Sequence, residues 1–77
     1  MSDTVEHLKP TLSSFFRMAV IAGVEGAVRV HIERGDDLNA RDSSGQTPLM
    51  LAASRNKPQI CRQLLEAGAD PLLIDQK

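Results

Sequence analysis

Two segments decide the fold of this chain, Thr-Pro-Leu-Met-Leu-Ala-Ala at residues 47–53 and Leu-Leu-Glu-Ala-Gly-Ala-Asp at residues 64–70. In the first segment, the threonine can cap a helix and the proline suits the first helical turn, where its missing N–H costs nothing. In the second segment, Gly68 stands where a helix ends with a left-handed residue. The sequence therefore predicts two short helices, over residues 48–55 and 58–67, separated by an Asn-Lys-Pro break.

A weaker copy of the same pattern lies about 33 residues upstream. In this register Gly35 matches Gly68, and apolar residues of the two copies fall on one another. The helical spacing of the apolar residues predicts helices over residues 11–22 and 25–34. Residues 36–45, between the copies, are polar and rich in turn-forming residues.

Residues 42–74 resemble one ankyrin repeat. The residues that carry this resemblance are Asp42, Gly45, Thr47, Pro48, Leu49, Ala52, Ala53, Leu64, Leu65, Gly68, Ala69 and Asp70. The resemblance implies an all-α, ankyrin-repeat-like solenoid of two helix-turn-helix units, with a projecting hairpin between them. Residues 11–41 lack the Thr-Pro-Leu-His block of the family and are interpreted as an atypical N-terminal capping repeat. Residues 1–10 are predicted to be a tail, and residues 75–77 to begin a possible further repeat.

The family pattern also predicts the positions of individual side chains. Leu49 and Leu65 are expected to be among the most buried residues, and Ala53 is expected to face inward. Gly45 is expected to have a positive φ, in a backbone conformation that a Cβ would resist. Changing Leu65 to alanine should therefore destabilise the fold strongly.

Several polar or reactive residues have both a structural and a functional interpretation. His31 matches Leu64, which favours a partly buried histidine with satisfied hydrogen bonds over a ligand. Met50 replaces the histidine of the family block, so it either packs or adds an apolar contact for a partner. Cys61 lies on an apolar helix face, where thiols are inert far more often than catalytic. Asp36–Asp37 are expected to hydrogen-bond the hairpin backbone.

Composition argues against several classes of function. Nine basic and ten acidic residues give a net charge of -1, so the basic stripe of a nucleic-acid-binding protein is missing. The single cysteine favours a reduced, cytoplasmic compartment, and no apolar run approaches the ~20 residues of a membrane span. Because no acid, base and nucleophile assemble and the histidines lack ligand spacing, we expect no enzyme activity, cofactor, metal or small-molecule substrate.

The function that the resemblance implies is protein recognition. In this family the contact surface consists of the hairpin tips and the exposed inner side of the first helix of each repeat. The matching positions here are Arg41, Ser43, Ser44 and Gln46 on the hairpin, with Ser54 and Arg55 on the helix. Arg41 and Arg55 are interpreted as paired donors toward a carboxylate on the partner.

The end of the sequence leaves two alternatives open. The chain stops just after Asp75, where a further repeat would begin, so it is predicted to be the N-terminal part of a longer protein. The apolar residues Leu72, Leu73 and Ile74 favour the alternative, a regulatory module that docks on the remainder of a larger enzyme or regulator, or self-associates weakly. The sequence does not name the partner.

Overall fold

The computed structural model describes residues 11–71, and within them the chain forms four helices. They are α1 (Ser14–Ala22), α2 (Glu25–Glu33), α3 (Pro48–Ser54) and α4 (Pro58–Glu66). Each unit pairs two helices, α1 with α2 and α3 with α4, and the second pair stacks on the first, with α3 beside α1 and α4 beside α2. The predicted all-α solenoid is therefore confirmed. The tail over residues 1–10 and the apolar stretch from Leu72 lie outside the described residues.

Local capping decides where the helices begin. Thr47 accepts a hydrogen bond from the Met50 N–H at 3.3 Å and Pro48 opens α3, as predicted. The first helix begins at Ser14 and not at residue 11, because the Ser13 hydroxyl accepts the N–H of Phe15 at 3.1 Å and caps the helix there. The other helices end within one residue of their predicted limits.

The backbone repeats itself one unit apart. Gly23 and Asn56 close the first helix of each pair with φ values of 74° and 58°. Gly35 and Gly68 follow the second helix of each pair, with φ values of 84° and 105°. Such left-handed residues end helices because they let orphan carbonyls be satisfied. The match at both turns supports the repeat register read from the sequence.

Buried apolar residues of all four helices, together with Ala69 just after α4, form one core. Its members are Phe16, Ala19, Val20, Val28, Leu51, Ala52, Ile60, Leu64 and Ala69. Two burial predictions were wrong, since Leu49 is only partly buried and the Leu65 side chain is 44% exposed. Leu51 and Leu64 are instead the fully buried leucines of α3 and α4.

The exposure of Leu65 follows from its place in the stack. Its counterpart Ile32 in the first unit is partly buried against the core. Similarly, Val20 is fully buried while its counterpart Ala53, expected to face inward, is exposed. These positions face the next unit, and the described residues place no unit beyond α4. We refer to Ala53, Cys61 and Leu65 as the C-terminal end face.

The opposite end of the stack shows the reverse asymmetry. Phe15 is 79% exposed and Met18 is 57% exposed on α1. Their counterparts in α3, Pro48 and Leu51, are both buried. Phe15 and Met18 therefore form an N-terminal end face, at the position that the preceding unit covers in the second pair.

The segment predicted as a hairpin is a series of turns. Its tip is closed by hydrogen bonds from the Asp42 N–H to the Gln46 carbonyl and from the Gly45 N–H to the Asp42 carbonyl, both 2.9 Å. Among residues 11–71 the extended pairing is limited to one isolated bridge, between Thr11 and Arg41. The reason is local, since side-chain carboxylates in this segment accept the backbone N–H groups that a strand partner would need.

Candidate functional site

The turn over residues 42–46 is built around the Asp42 carboxylate. Its Oδ1 atom accepts the N–H of Ser44 at 2.8 Å and the N–H of Gln46 at 2.9 Å. Gly45 has a φ of 82°, which confirms the predicted positive value. The backbone of this turn is therefore held from within.

An ion pair ties the same turn to the first unit. The Arg17 Nε donates to the Asp42 Oδ2 at 3.0 Å, linking α1 to the loop that leads into α3. Burial raises the pKa of the Asp42 carboxyl, but the hydrogen bonds from Gln46, Arg17 and Ser44 outweigh it and leave the pKa below its usual value. Asp42 is therefore ionised at neutral pH.

Sequence reasoning did not single out this ion pair. Arg17 aligns with Met50, at the position where the family block has histidine. A hydrogen-bond donor at that position can reach the turn that begins the next unit, and the Arg17 guanidinium does so here by bonding to Asp42. The sequence did contain a signal for this ion pair. Arg17, a hydrogen-bond donor, stands at the histidine position of the first copy, and the aspartate Asp42 begins the second copy.

The structure places the predicted partner-binding residues at the two ends of α3. Arg41, Ser43 and Ser44 are exposed, and Gln46 is half-buried, at the turn that precedes the helix. Ser54 and Arg55 are exposed at its other end. We call these residues the recognition surface, a name that states their predicted role. Arg41 lies in the turn before α3 and Arg55 caps the C-terminal end of this helix, whose seven residues span about 10 Å.

Two of these residues also take part in the scaffold. The Arg41 Nη1 donates to the Gly45 carbonyl at 2.7 Å, across the turn. The Ser54 hydroxyl donates to the Leu51 carbonyl at 3.1 Å. The Ser54 hydroxyl is therefore hydrogen-bonded within its own helix. Arg41 uses one of its five N–H donors in the turn, and a guanidinium can donate several hydrogen bonds at once.

His31, Asp36 and Asp37, which the sequence analysis also considered, have structural roles. The His31 ring stacks on Phe16 with centroids 4.8 Å apart, and its Nδ1 lies 2.7 Å from the Asp36 Oδ2. The prediction of a histidine held by hydrogen bonding within the chain is thus confirmed, and at 8% exposure His31 is more deeply buried than the predicted partial burial. Asp37 accepts the Asn39 N–H at 2.9 Å as predicted, but Asp36 bonds to side chains instead of backbone.

The carboxyl of Asp36 is held ionised by its neighbours. The hydrogen bond from His31 lowers its pKa most, burial opposes this, and Arg34, whose Nε lies 3.2 Å from Oδ1, lowers the pKa further. The pKa of Asp36 therefore lies below its ordinary value. This cluster fixes the turn after α2.

Met50 and Cys61 occupy different environments. Met50 is only 7% exposed, so of its two interpretations the packing one is confirmed. Cys61 is a half-buried free thiol. It lies in a groove of about 480 Å³ between α3 and α4, which also includes the C-terminal end-face residues Ala53 and Leu65.

The described part of the chain offers little for other chemistries. Over residues 11–71, His, Cys, Asp and Glu side chains nowhere form a group of three that could hold a metal ion. In the same range, every helix falls short of the length and apolar character that crossing a membrane requires.

Comparisons with known proteins identify ankyrin repeats in this chain. A family model described as ankyrin repeats (3 copies) matches residues 4–75. The chain is 33% identical over 67 residues to protein phosphatase 1 regulatory subunit 27 of Mus musculus, covering 87% of this chain and 44% of that protein. It is 40% identical over 52 residues to the Homo sapiens protein of the same name, covering 68% of this chain and 34% of that protein.

A further relative has a different name. The chain is 43% identical over 67 residues to NF-kappa-B inhibitor alpha of Sus scrofa, covering 80% of this chain and 21% of that protein. The chain thus spans less than half the length of each of these relatives.

Proposed function

This chain belongs to the ankyrin-repeat family, and we propose that it binds a protein partner through the recognition surface at the two ends of α3. Two of the similar proteins are by name a regulatory subunit and an inhibitor, which supports a non-catalytic interaction module. We further propose that the module is the N-terminal part of a longer cytoplasmic protein. The identity of the partner is open.

The observation that carries this proposal is that the polar backbone groups of the 42–46 turn are hydrogen-bonded within the chain. Asp42 accepts backbone N–H groups of the turn, Arg17 neutralises Asp42, and the Arg41 guanidinium closes the turn from the other side. The side chains of Ser43 and Ser44 are exposed on a turn whose backbone is hydrogen-bonded within the chain. A surface ordered before binding loses less conformational entropy on association, which favours recognition.

The alternative function is a regulatory module that docks on the rest of a larger protein. It is favoured by the C-terminal end face, where Leu65 is 44% exposed beside a groove of about 480 Å³. Apolar surface of this kind contributes about 25 cal/mol per Å² when it is removed from water. The apolar residues Leu72–Ile74 follow in the sequence. They add apolar side chains for such docking or for weak self-association.

A charge-reversal comparison tests the first proposal. The chain and its Arg41→Glu/Arg55→Glu variant are used as baits in affinity capture from a cell extract. A control variant, Arg29→Glu/Arg62→Glu, makes the same charge change at exposed positions on α2 and α4. The proposal predicts proteins that bind the parent and the control but are lost from the Arg41/Arg55 variant.

The same experiment separates the alternative. Captured proteins that are lost only when Leu65→Ser and Ala53→Ser are combined would assign binding to the C-terminal end face. Melting curves of all variants accompany the capture, because a loss of binding is informative only for a folded bait.

A further inference from the structure

A groove lined by polar and charged side chains together with apolar surface lies where the first turn of α1 meets the 42–46 turn. It has a volume of about 430 Å³ and is lined by Thr11, Leu12, Ser14, Arg17, Arg41, Asp42 and Ser43. The bridge between Thr11 and Arg41 holds its two sides together, with the Leu12 N–H donating to the Arg41 carbonyl at 3.1 Å. The groove is therefore shared by both units of the stack and adjoins the recognition surface at Arg41 and Ser43.

The charges of this groove are exposed unequally. In the Arg17–Asp42 pair, the arginine side chain is 36% exposed and the aspartate side chain only 6% exposed. The anion is thus turned inward, and the cation is available at the surface. Arg41 is also exposed. Two arginines and one aspartate line the groove, so its lining carries a formal charge of +1, whereas the net charge of the whole chain is -1.

The charged donors in the groove, two guanidiniums, outnumber its one charged acceptor, the Asp42 carboxylate. Arg17 and Arg41 each spend one N–H of their guanidinium on the scaffold, and a guanidinium carries several more in a fork that matches a carboxylate. The hydroxyls of Thr11, Ser14 and Ser43 add neutral donors at exposed positions. Asp42 is the groove's acidic residue, and its carboxylate already accepts bonds from Arg17, Ser44 and Gln46.

From this arrangement we infer that the groove binds a carboxylate in an acidic segment of the protein partner. Two guanidiniums against one carboxylate leave a single net positive charge, which matches one Asp or Glu side chain better than a dianionic phosphate. Arg55, at the C-terminal end of α3, meets a second acidic side chain of the same segment. This inference rests on the proposed function and specifies the chemistry of the partner.

Peptide binding tests the inference directly. Three fluorescently labelled peptides of equal length are compared by anisotropy at low ionic strength, one rich in glutamate, one with glutamine in its place and one with phosphoserine. The glutamate peptide should bind the chain more tightly than the glutamine peptide, and amide NMR shifts should concentrate at residues 11–17 and 41–46. Tighter binding of the phosphoserine peptide at those residues would overturn the assignment to a carboxylate.

A matched pair of variants separates the groove from general charge attraction. Arg41→Gln leaves the Arg17–Asp42 pair intact, and Arg29→Gln removes the same charge from an exposed position on α2. Arg41→Gln should weaken glutamate-peptide binding by up to about fivefold, the upper limit for an exposed ion pair, while Arg29→Gln leaves it unchanged. Equal weakening by both variants would overturn the inference.

The outcome also distinguishes this inference from the proposed function. If captured proteins depend on Arg41 and Arg55 but the glutamate peptide does not bind, the recognition surface stands and the acidic partner is wrong. If the peptide binds the groove but captured proteins ignore the Arg41/Arg55 variant, the groove stands and the functional assignment is wrong.

Discussion

Among single residues, Asp42 connects the fold to the proposed recognition surface. It closes the turn through two backbone N–H groups, and it accepts the Arg17 guanidinium from the preceding unit. Hydrogen bonds to a charged group contribute about 1.5–3 kcal/mol each, so this carboxylate stabilises both the turn and the contact between units.

Acid titration measures the contribution of this carboxylate and of Asp36. Both have pKa values below the ordinary value of about 4. A depressed pKa gives stability that is present above the unfolded-state pKa and is lost as the pH falls through the folded-state pKa. We therefore expect the melting temperature to fall as the pH is lowered below about 4.

The control for this titration is the Asp36→Asn/Asp42→Asn double variant. It should be less stable than the parent at neutral pH, and its melting temperature should fall less on acidification. Parallel pH profiles for parent and variant would show that other groups govern the acid response.

A second test at the residue scale concerns backbone strain at Gly45. Its φ is 82°, and a Cβ built there meets no atom within 4 Å, so an alanine would be strained without being crowded. Gly45→Ala should cost about 1–2 kcal/mol, the penalty of a left-handed conformation. Denaturant unfolding gives this free energy.

Gly26 provides the matched control, because it lies inside α2 and a Cβ there also meets nothing within 4 Å. Gly26→Ala should stabilise the chain by up to about 1 kcal/mol, since alanine favours the helix more than glycine does. Equal effects of the two changes would contradict the assigned conformation of the turn.

On the scale of the helices, α4 shows how the stack distributes burial. Leu64 is fully buried and Leu65 is 44% exposed, although the two are neighbours in the sequence. Leu64→Ala should lower the free energy of unfolding by about 2–5 kcal/mol, and Leu65→Ala by clearly less. Urea unfolding of the two variants decides this, and a larger loss for Leu65→Ala would mean that the register of α4 is wrong.

The same pair shows what the sequence could and could not predict. Helix starts such as Thr47-Pro48 and ends such as Gly68 were predicted correctly because capping depends on residues within a few positions. The burial of Leu65 and Ala53 was predicted wrongly because it depends on a neighbouring unit, and the described residues supply none at that end. The ion pair of Arg17 with Asp42 joins positions that are distant in the sequence, so no local pattern revealed it.

Across the whole molecule, the two end faces and the recognition surface offer different kinds of contact. The N-terminal end face presents Phe15 and Met18, and the C-terminal end face presents Leu65, so both ends are apolar. The recognition surface is polar and carries Arg41 and Arg55. Apolar faces of this type suit stacking of further repeats, whereas a polar, preordered surface suits a separate partner.

Hydrogen–deuterium exchange of the chain bound to a captured partner tests the central claim most directly. If the chain recognises proteins through the recognition surface, binding should slow exchange at the amides of residues 41–46 and 54–55 and leave α2 and the exposed side of α4 unchanged. Protection confined to α2 and α4, with residues 41–46 exchanging as in the free chain, would contradict the account.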